Sequence, residues 1–519
     1  MIPAAAVREI AAGRSGVYLV TIRAGGVEVR AATRPADVPW DNGVGLQFAS
    51  IVSLEPLQLA LDPMALTGIG SYQTVQVRVA DEDVDAVSLQ LAGHPLAGAE
   101  VEIALWWPGL DYEQRSVVLR GRMRTPTLQN AGRLSSFTAT AIPSLAGSEQ
   151  VGDAERDLVA DYPARPAVSG RFGELVPTLL GRCANVPGLK VGPDTDDQLL
   201  LAGHWMGGGE VTLYEDGSTT PTAGSPYSLI NTTSDAGTKV AIVEGASAFE
   251  FTSAGALTAD LSACGGAPRV DGAGPTTTAA DVLVWLLTRS GRRVDWPRCQ
   301  RALAYLSTWV IGVYLDEPAC AVDLVTQRLL PVLPLVAIEG GDGLWYHYAD
   351  LELGEPEADL VEGQHLLGPV PDSGLTWSSE EDCRTAFSVR YHRDSASGEF
   401  AGAITLDDQD DALCALAREQ FGPRADEGVD GLVIWAENPA RRVAVHQARR
   451  RALPVGSARF VVEPEAAVGL REGSVVAITW PAWGLERRRA LVAERYPAGD
   501  RTEVKFLFAP ASPVRDGGL

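Results

Sequence analysis

The stretch GLREGSVVAITWPAWGLERRRALVAERYPAGDRTEVKFLFA, Gly469–Ala509, decides how the chain is read. It resolves into three apolar runs of strand length, Ser474–Trp480, Ala490–Tyr496 and Thr502–Phe508, and the last two are joined through Pro497–Asp500. Valine, isoleucine and aromatic residues dominate the runs and Gly and Pro separate them, which is the signature of consecutive antiparallel strands. Working back from there, Thr385–Tyr391 alternates Phe387, Val389 and Tyr391 against Ser388 and Arg390. The C-terminal 373–519 region is therefore expected to be mainly β, interrupted by one basic amphipathic helix, Ala440–Leu453.

The N-terminal end reads the same way. Val17–Arg23 and Val27–Ala31 flank Gly25-Gly26, a two-residue hairpin signal. Val75, Val77 and Val79 alternate with polar neighbours, and Val101, Ile103 and Leu105 do the same. Val117–Met123 and Ser135–Ala141 continue the series, so residues 17–142 predict an antiparallel barrel or sandwich. Between the two β regions the period changes. Thr278–Ser290 puts Val282, Leu283, Leu286 and Leu287 on one helical face, with Thr278 as N-cap. Pro297–Leu306 and Pro318–Leu330 predict two further helices, and Leu335–Ile338 with Leu344–Tyr348 a hairpin across Gly340–Gly343. Gly173–Ala184 is read as a short helix with Pro177 in its first turn. Residues 196–272, rich in Gly, Ser and Thr, predict a small β insertion with strands such as Glu210–Tyr214, Val240–Val243 and Ala248–Thr252 and a turn at Asp216-Gly217.

The expected fold class is thus mainly β with α+β parts in several domains. The N-terminal β domain spans 1–150. An α/β middle domain is assembled from 151–195 and 273–372, the insertion spans 196–272, and the C-terminal β domain spans 373–519. At roughly 100–200 residues per domain, 519 residues suit such a division.

Charge narrows the function. Lys and Arg number 43 against 67 Asp and Glu, a net charge of −24 that argues against binding a phosphate backbone. Met1–Gly16 lacks a basic n-region and a sustained apolar core, so no secretory leader is expected. No apolar run reaches the roughly 18 residues of a membrane span. The six cysteines, Cys183, Cys264, Cys299, Cys320, Cys383 and Cys414, are scattered without a CxxC and are expected to be reduced.

No nucleophile elbow, phosphate loop, dinucleotide fingerprint or HExxH helix is present. The six histidines (His94, His204, His347, His365, His392 and His446) have no metal-ligand spacing. Asp81-x-Asp83-x-Asp85 imitates the start of a calcium loop but lacks the turn glycine, and Ala92 stands at the bidentate position. The clusters Glu380–Asp382 and Asp407, Asp408, Asp410 and Asp411 are the only support for a paired-carboxylate glycosidase, and acidic loops are expected in so acidic a chain. Arg441, Arg442, Arg449, Arg450 and Arg451 are read as a salt-bridged helix face. Accordingly no catalytic, cofactor-binding or metal residue is expected and no cofactor. The adjacent Trp106-Trp107 and the near pair Trp480 and Trp483 are expected at a subunit interface, with an outward ring in each pair available to a sugar or a partner.

Two passages carry a resemblance. Thr278–Leu366, with its two helices, a helix ending in Leu329-Leu330, a strand and a Gly-Asp-Gly hairpin, resembles the central part of phage tail hub proteins. Leu375–Ala509, with the AFSVRYHRD strand, the Ala440–Leu453 helix and the final strands, is similar to the β-barrel hub domain of tail-tip proteins; Ser474 stands where that pattern is often acidic. Together the passages cover nearly half the chain. The resemblance implies a baseplate-hub-like structural protein of a siphophage tail tip, or of a gene-transfer or tailocin particle, and no enzyme. It implies a homotrimer in which two β-barrel hub domains per chain flank the α/β middle and form a pseudo-sixfold ring around the DNA channel. The implied partners are the distal tail protein, the tape measure protein and tip or fibre proteins, with DNA passing through unbound and the insertion free to meet the host surface. The implied place is the virion tail tip, assembled in bacterial host cytoplasm. A carbohydrate- or receptor-binding tail protein is the second reading, and a wall-degrading enzyme the third.

Overall fold

The computed structural model describes residues 8–9, 16–24, 26–40, 44–48, 50–54, 59–60, 69–72, 75–80, 96–124, 127–131, 134–143, 150–151, 161–163, 175–183, 185–191, 198–207, 210–215, 227–244, 257–260, 275–290, 293–317, 319–340, 343–348, 355–371, 373–395, 397–470, 472–498 and 501–508. It is mainly β. The acidic Asp81–Asp85 run, the turn at Asp216-Gly217, the strand at 248–252 and Cys264 lie outside these residues.

The N-terminal region contributes β1 (Val17–Ala24), β2 (Val27–Ala32), β3 (Ala36–Trp40), β4 (Val44–Phe48), β5 (Ser50–Leu54) and β6 (Leu59–Ala60). β7 (Ile69–Tyr72), β8 (Val75–Ala80), β9 (Glu100–Trp106), β10 (Ser116–Met123), β11 (Thr127–Ala131) and β12 (Leu134–Pro143) follow. One eight-stranded sheet runs β10-β9-β1-β2-β5-β8-β12-β11, and β10 also pairs with β12, so the path returns on itself. The β1–β2 hairpin turns at Gly26, whose φ of +88° only glycine adopts at low cost. Alternation sends Val20, Ile22, Val29, Val101 and Ile103 into one core. It sends Val17, Leu19 and Trp106 to the other face, where the β3–β4 hairpin and Tyr112 cover them.

β13 (Gln150–Val151) and β14 (Thr178–Gly181) are the next strands. The helix expected at Gly173–Ala184 is not formed. β14 pairs instead with a later strand, from Thr178↔Leu315 to Gly181↔Gly312. Leu179 and Leu180 are both fully buried, but in different cores, as successive strand residues must be. A run apolar on both faces looks helical in sequence and is here a strand buried on both sides.

β15 (Val186–Pro187), β16 (Leu189–Lys190), β17 (Gln198–Ala202), β18 (Glu210–Glu215), β19 (Tyr227–Thr233), β20 (Lys239–Glu244) and β21 (Leu257–Asp260) form a seven-stranded antiparallel sheet. Its order is β15-β21-β18-β19-β20-β17-β16. It therefore begins at Val186, ahead of the expected boundary at 196. One face packs on Leu179 and Cys183, the other on Tyr162 and Val176.

The middle of the chain holds α1 (Ala279–Arg289), α2 (Trp296–Leu306), β22 (Gly312–Leu315), β23 (Ala319–Cys320) and α3 (Ala321–Leu324), which runs on into a π-helical turn, Val325–Leu329. Thr278 caps α1 by accepting from the Asp281 N–H, and the Asp281 carboxylate accepts from Thr278 N–H. β24 (Leu335–Gly340) and β25 (Gly343–Tyr348) form the expected hairpin.

The remainder supplies β26 (Ala358–Val361), β27 (Leu366–Pro369), β28 (Thr376–Trp377), β29 (Phe387–Arg393), β30 (Phe400–Leu406), α4 (Ala412–Phe421), β31 (Val429–Asp430) and α5 (Glu437–Arg451). β32 (Gly456–Val462), α6 (Pro464–Gly469), β33 (Val475–Trp480), β34 (Leu485–Ala498) and β35 (Arg501–Phe508) complete it. β29–β31, α4 and α5 share their core with α1–α3: Phe387, Val389, Cys414 and Val443 meet Leu283, Leu286 and Trp309. The expected boundary at 372 thus runs between residues that pack together. β26 and β32–β35 enclose a separate core around Phe460 and Phe506. The β6–β7 pair joins the regions: β7 runs parallel to β24 and β6 antiparallel to β34, so one eleven-stranded sheet takes strands from the start, middle and end of the chain.

Candidate interaction surfaces and an arginine-lined cleft

Three of the four paired tryptophans, Trp106, Trp107 and Trp480, are buried, and Trp483 is half-buried. Trp106 and Trp107 are each 3% exposed, and the Trp106 Nε1–H donates to the Leu110 carbonyl. Trp480 is buried against Phe460 at 5.0 Å, and Trp483 packs on the same ring at 5.1 Å. A bulge at Ile478/Trp480 and the short helical turn Pro481–Trp483 bring both rings onto Phe460, with Trp480 buried and Trp483 half-buried, rather than one in and one out across a regular strand. Among the described residues the exposed large apolar side chains are others: Trp40, Trp205, Leu367 and Trp377. Trp377, 60% exposed, lies on β28 beside Gly456, and Leu367 on β27; both strands pair with β32. Trp205 is capped by Lys239 at 4.4 Å, and its Nε1–H donates to the Thr232 carbonyl.

The carboxylate clusters do local structural work. Asp411 caps α4 by accepting from the N–H groups of Leu413 and Cys414. Asp408 accepts from Arg418; desolvation, the largest single influence, pushes its carboxyl up, but the hydrogen bonds from Gln409 and Arg418 with the Arg418 charge together outweigh it and hold it below the usual range. Glu380–Asp382 form an exposed turn whose carbonyls accept from Arg384 and Arg424. The basic helix divides its arginines. Arg441 and Arg451 reach Asp410 at 3.9 Å and Asp426 at 3.0 Å. Arg442 lies over the Trp309 ring at 4.2 Å, while Arg450 and His446 are buried. Arg441 and Arg451 thus make the ion pairs expected of a salt-bridged face, while Arg442 uses its guanidinium against an aromatic ring. Both His446 ring nitrogens lack a hydrogen-bond partner, and burial, reinforced by Arg450 and Arg449, holds the imidazole well below its ordinary pKa.

Cys183, Cys299, Cys320, Cys383 and Cys414 are free thiols. Burial pushes Cys183 up to about 12, which makes it a poor nucleophile. Among the described residues no group of three His, Cys, Asp or Glu side chains could hold a metal ion, and no helix is long and apolar enough to cross a membrane.

The feature that sequence reading missed is a cleft where β14, β22, the π-helical turn and the end of β29 meet. Its wide part, about 390 Å³, is lined by Val310, Trp435, Ala436, Pro439 and Arg442 among others. A narrow recess of about 30 Å³ adjoins it through Arg182 and Trp435 and carries Arg328 and Arg393. Two glycines make the recess possible. A Cβ on Gly312 would lie 1.7 Å from the Arg182 carbonyl oxygen, and one on Gly181 2.0 Å from that of Ile311. The arginines come from positions 182, 328 and 393, and no local motif in the sequence links them.

No family model matches the chain, and no curated protein matches it. Among solved structures, the chain is similar to two tail proteins and to a chain of a gene transfer agent particle. The prophage MuSo2 43 kDa tail protein from Shewanella oneidensis is 8% identical over 94% of this chain and 98% of that one, with a TM-score of 0.40. A chain of the virion of the native gene transfer agent particle is 15% identical over 66% of this chain and 86% of that one, at 0.45. The tail protein from Neisseria meningitidis MC58 is 11% identical over 95% of this chain and 96% of that one, at 0.38.

Proposed function

We propose that the chain is a structural protein of a phage-type tail, acting as the hub of the tail tip. The observation that carries this reading is the element order of Thr278–Leu366. Two helices, a strand, a short helix running into a π-helical turn that ends at Leu329, and a hairpin across Gly340–Gly343 follow one another there, the kinds of element that the hub resemblance rests on. The returning path of the N-terminal sheet and the β26–β35 region around Phe460 support two barrel-like domains per chain. In this reading three copies form a ring with pseudo-sixfold symmetry around the DNA channel in the virion. The ring joins the distal tail and tape measure proteins to tip or fibre proteins, and the insertion faces the host. Three copies triple a net charge of −24, and an acidic lumen would repel passing DNA while a neutral one would at least not hold it.

The reading requires no catalysis, and the clustered carboxylates serve as caps and ion-pair partners. Native mass spectrometry of the purified chain tests it. The expected species is a trimer at three times 54.9 kDa, and a persistent monomer at assembly concentration contradicts the ring.

A further inference from the structure

We propose that the recess formed by Arg182, Arg328 and Arg393 is an oxyanion-binding site, which takes a carboxylate- or phosphate-sized group. It goes beyond the tail reading and does not depend on it.

Three arginines in a chain with a large acidic excess converge on one recess, and none of the residues lining the recess or the wide cleft is Asp or Glu. All three arginines are partly buried. The Arg182 Nε is fully shielded from solvent and donates no hydrogen bond. Arg393 has no ion pair among the described residues, although Asp394 beside it accepts from Asn185. Arg328 donates to the Tyr314 carbonyl at 3.3 Å, and its pKa is lowered first by burial and then by Arg393, against the pull of Asp316 and Glu317. Like charges held together out of water are unfavourable unless something of opposite charge joins them. A guanidinium is built for planar oxyanions, which it meets with paired N–H donors.

The backbone around the recess is specialised to aim these side chains. Arg328 sits on the π-helical turn, where the Leu330 N–H donates to Val325 at 2.9 Å. His392, immediately before Arg393, has φ +57°, and its ring packs on Trp435 at 4.4 Å. Asn185, just after the Arg182-Cys183 segment, has φ +48°. Left-handed non-glycine residues cost energy and persist where the surroundings hold them. The recess admits one small anionic group, and the wide cleft beside it, walled by Val310, Trp435, Ala436 and Pro439, admits an apolar continuation. The anion is therefore either a free small oxyanion or a carboxylate on a peptide segment.

Calorimetric titration of the full-length protein at constant ionic strength tests this. The probes are sodium phosphate, the peptide acetyl-Ala-Leu-Trp-Asp-amide and its Asn counterpart. Saturable binding of phosphate or of the Asp peptide is expected, weakened about tenfold by Arg393→Gln or Arg182→Gln. Arg390→Gln, a change on the same β29 at a side chain that pairs with Asp430 of β31, should leave it unchanged. Preference for the Asp peptide over phosphate, with loss in the Asn peptide, identifies a polypeptide source; the reverse order identifies a free anion. Because Arg393 repels Arg328, Arg393→Gln should keep or raise the thermal midpoint in anion-free buffer, so a loss of binding is not a loss of fold. No saturable binding of either probe at millimolar concentration, or equal binding by the variants and the parent, overturns the proposal.

Discussion

His446 shows how a single side chain sets a measurable property. It lies on α5 in the core shared with α1–α3, 5% exposed, with neither ring nitrogen bonded. Its folded pKa is depressed, so above the ordinary histidine value the ring is neutral in both folded and unfolded chains and contributes no pH dependence. Below about pH 6.5 the unfolded chain takes up a proton that the folded one refuses, and stability falls with pH. The expected slope from this residue is roughly 1 kcal/mol per pH unit below that point. Denaturant unfolding at pH 7, 6 and 5 should show it for the parent, and His446→Leu should flatten it without lowering stability at pH 7, since an unbonded polar group is removed. An unchanged slope in the variant would assign the acid sensitivity elsewhere.

Elements were legible where the sequence carries a cap, a turn or a long β-branched run. The cap at Thr278 with the 3.6-residue spacing of Val282, Leu283, Leu286 and Leu287 marks α1, and the strands of 17–32 and 457–508 show as long runs rich in Val, Ile and aromatic residues separated by Gly and Pro, even though several are buried on both faces. β14 was not legible, since Leu179 and Leu180 point into two cores and leave no period to detect. The arginine recess was unreadable for a different reason: its residues are brought together only by the β14–β22 pairing and by the turn at His392.

The seven-stranded sheet leads to an expectation of its own. Leu199, Leu201 and Ala241 cover Leu179 and Cys183, while Leu200, Val240 and Ile242 cover Tyr162 and Val176. Replacing 196–272 by a short Gly/Ser bridge uncovers those side chains, so the shortened chain should aggregate or bind a hydrophobic dye such as ANS. A soluble, cooperatively folding deletion variant would mean that the sheet is a dispensable module.

At the scale of the molecule, the parts are tied more closely than linear domains suggest. α1–α3 and α4–α5 share one core although about 80 residues of β structure and loop separate them, in keeping with long-range closure being cheap relative to the apolar area it buries. The β6–β7 pair links β24 to β34, so the start of the chain is hydrogen-bonded to both the middle and the end. The regions are therefore joined by strand pairing as well as by the covalent chain, which suits the load that the hub reading would place on them. Trp377 and Leu367 stay exposed on strands that border β32, an apolar edge that a ring of copies could bury. The central claim is that this chain is the threefold hub of a tail tip. The most direct test is a cryo-electron microscopy reconstruction of the particle that carries it. The account predicts three copies around the tail axis, each presenting two β domains toward the sixfold tube. Absence of the chain from the tail, or a ring of six single copies, would contradict it.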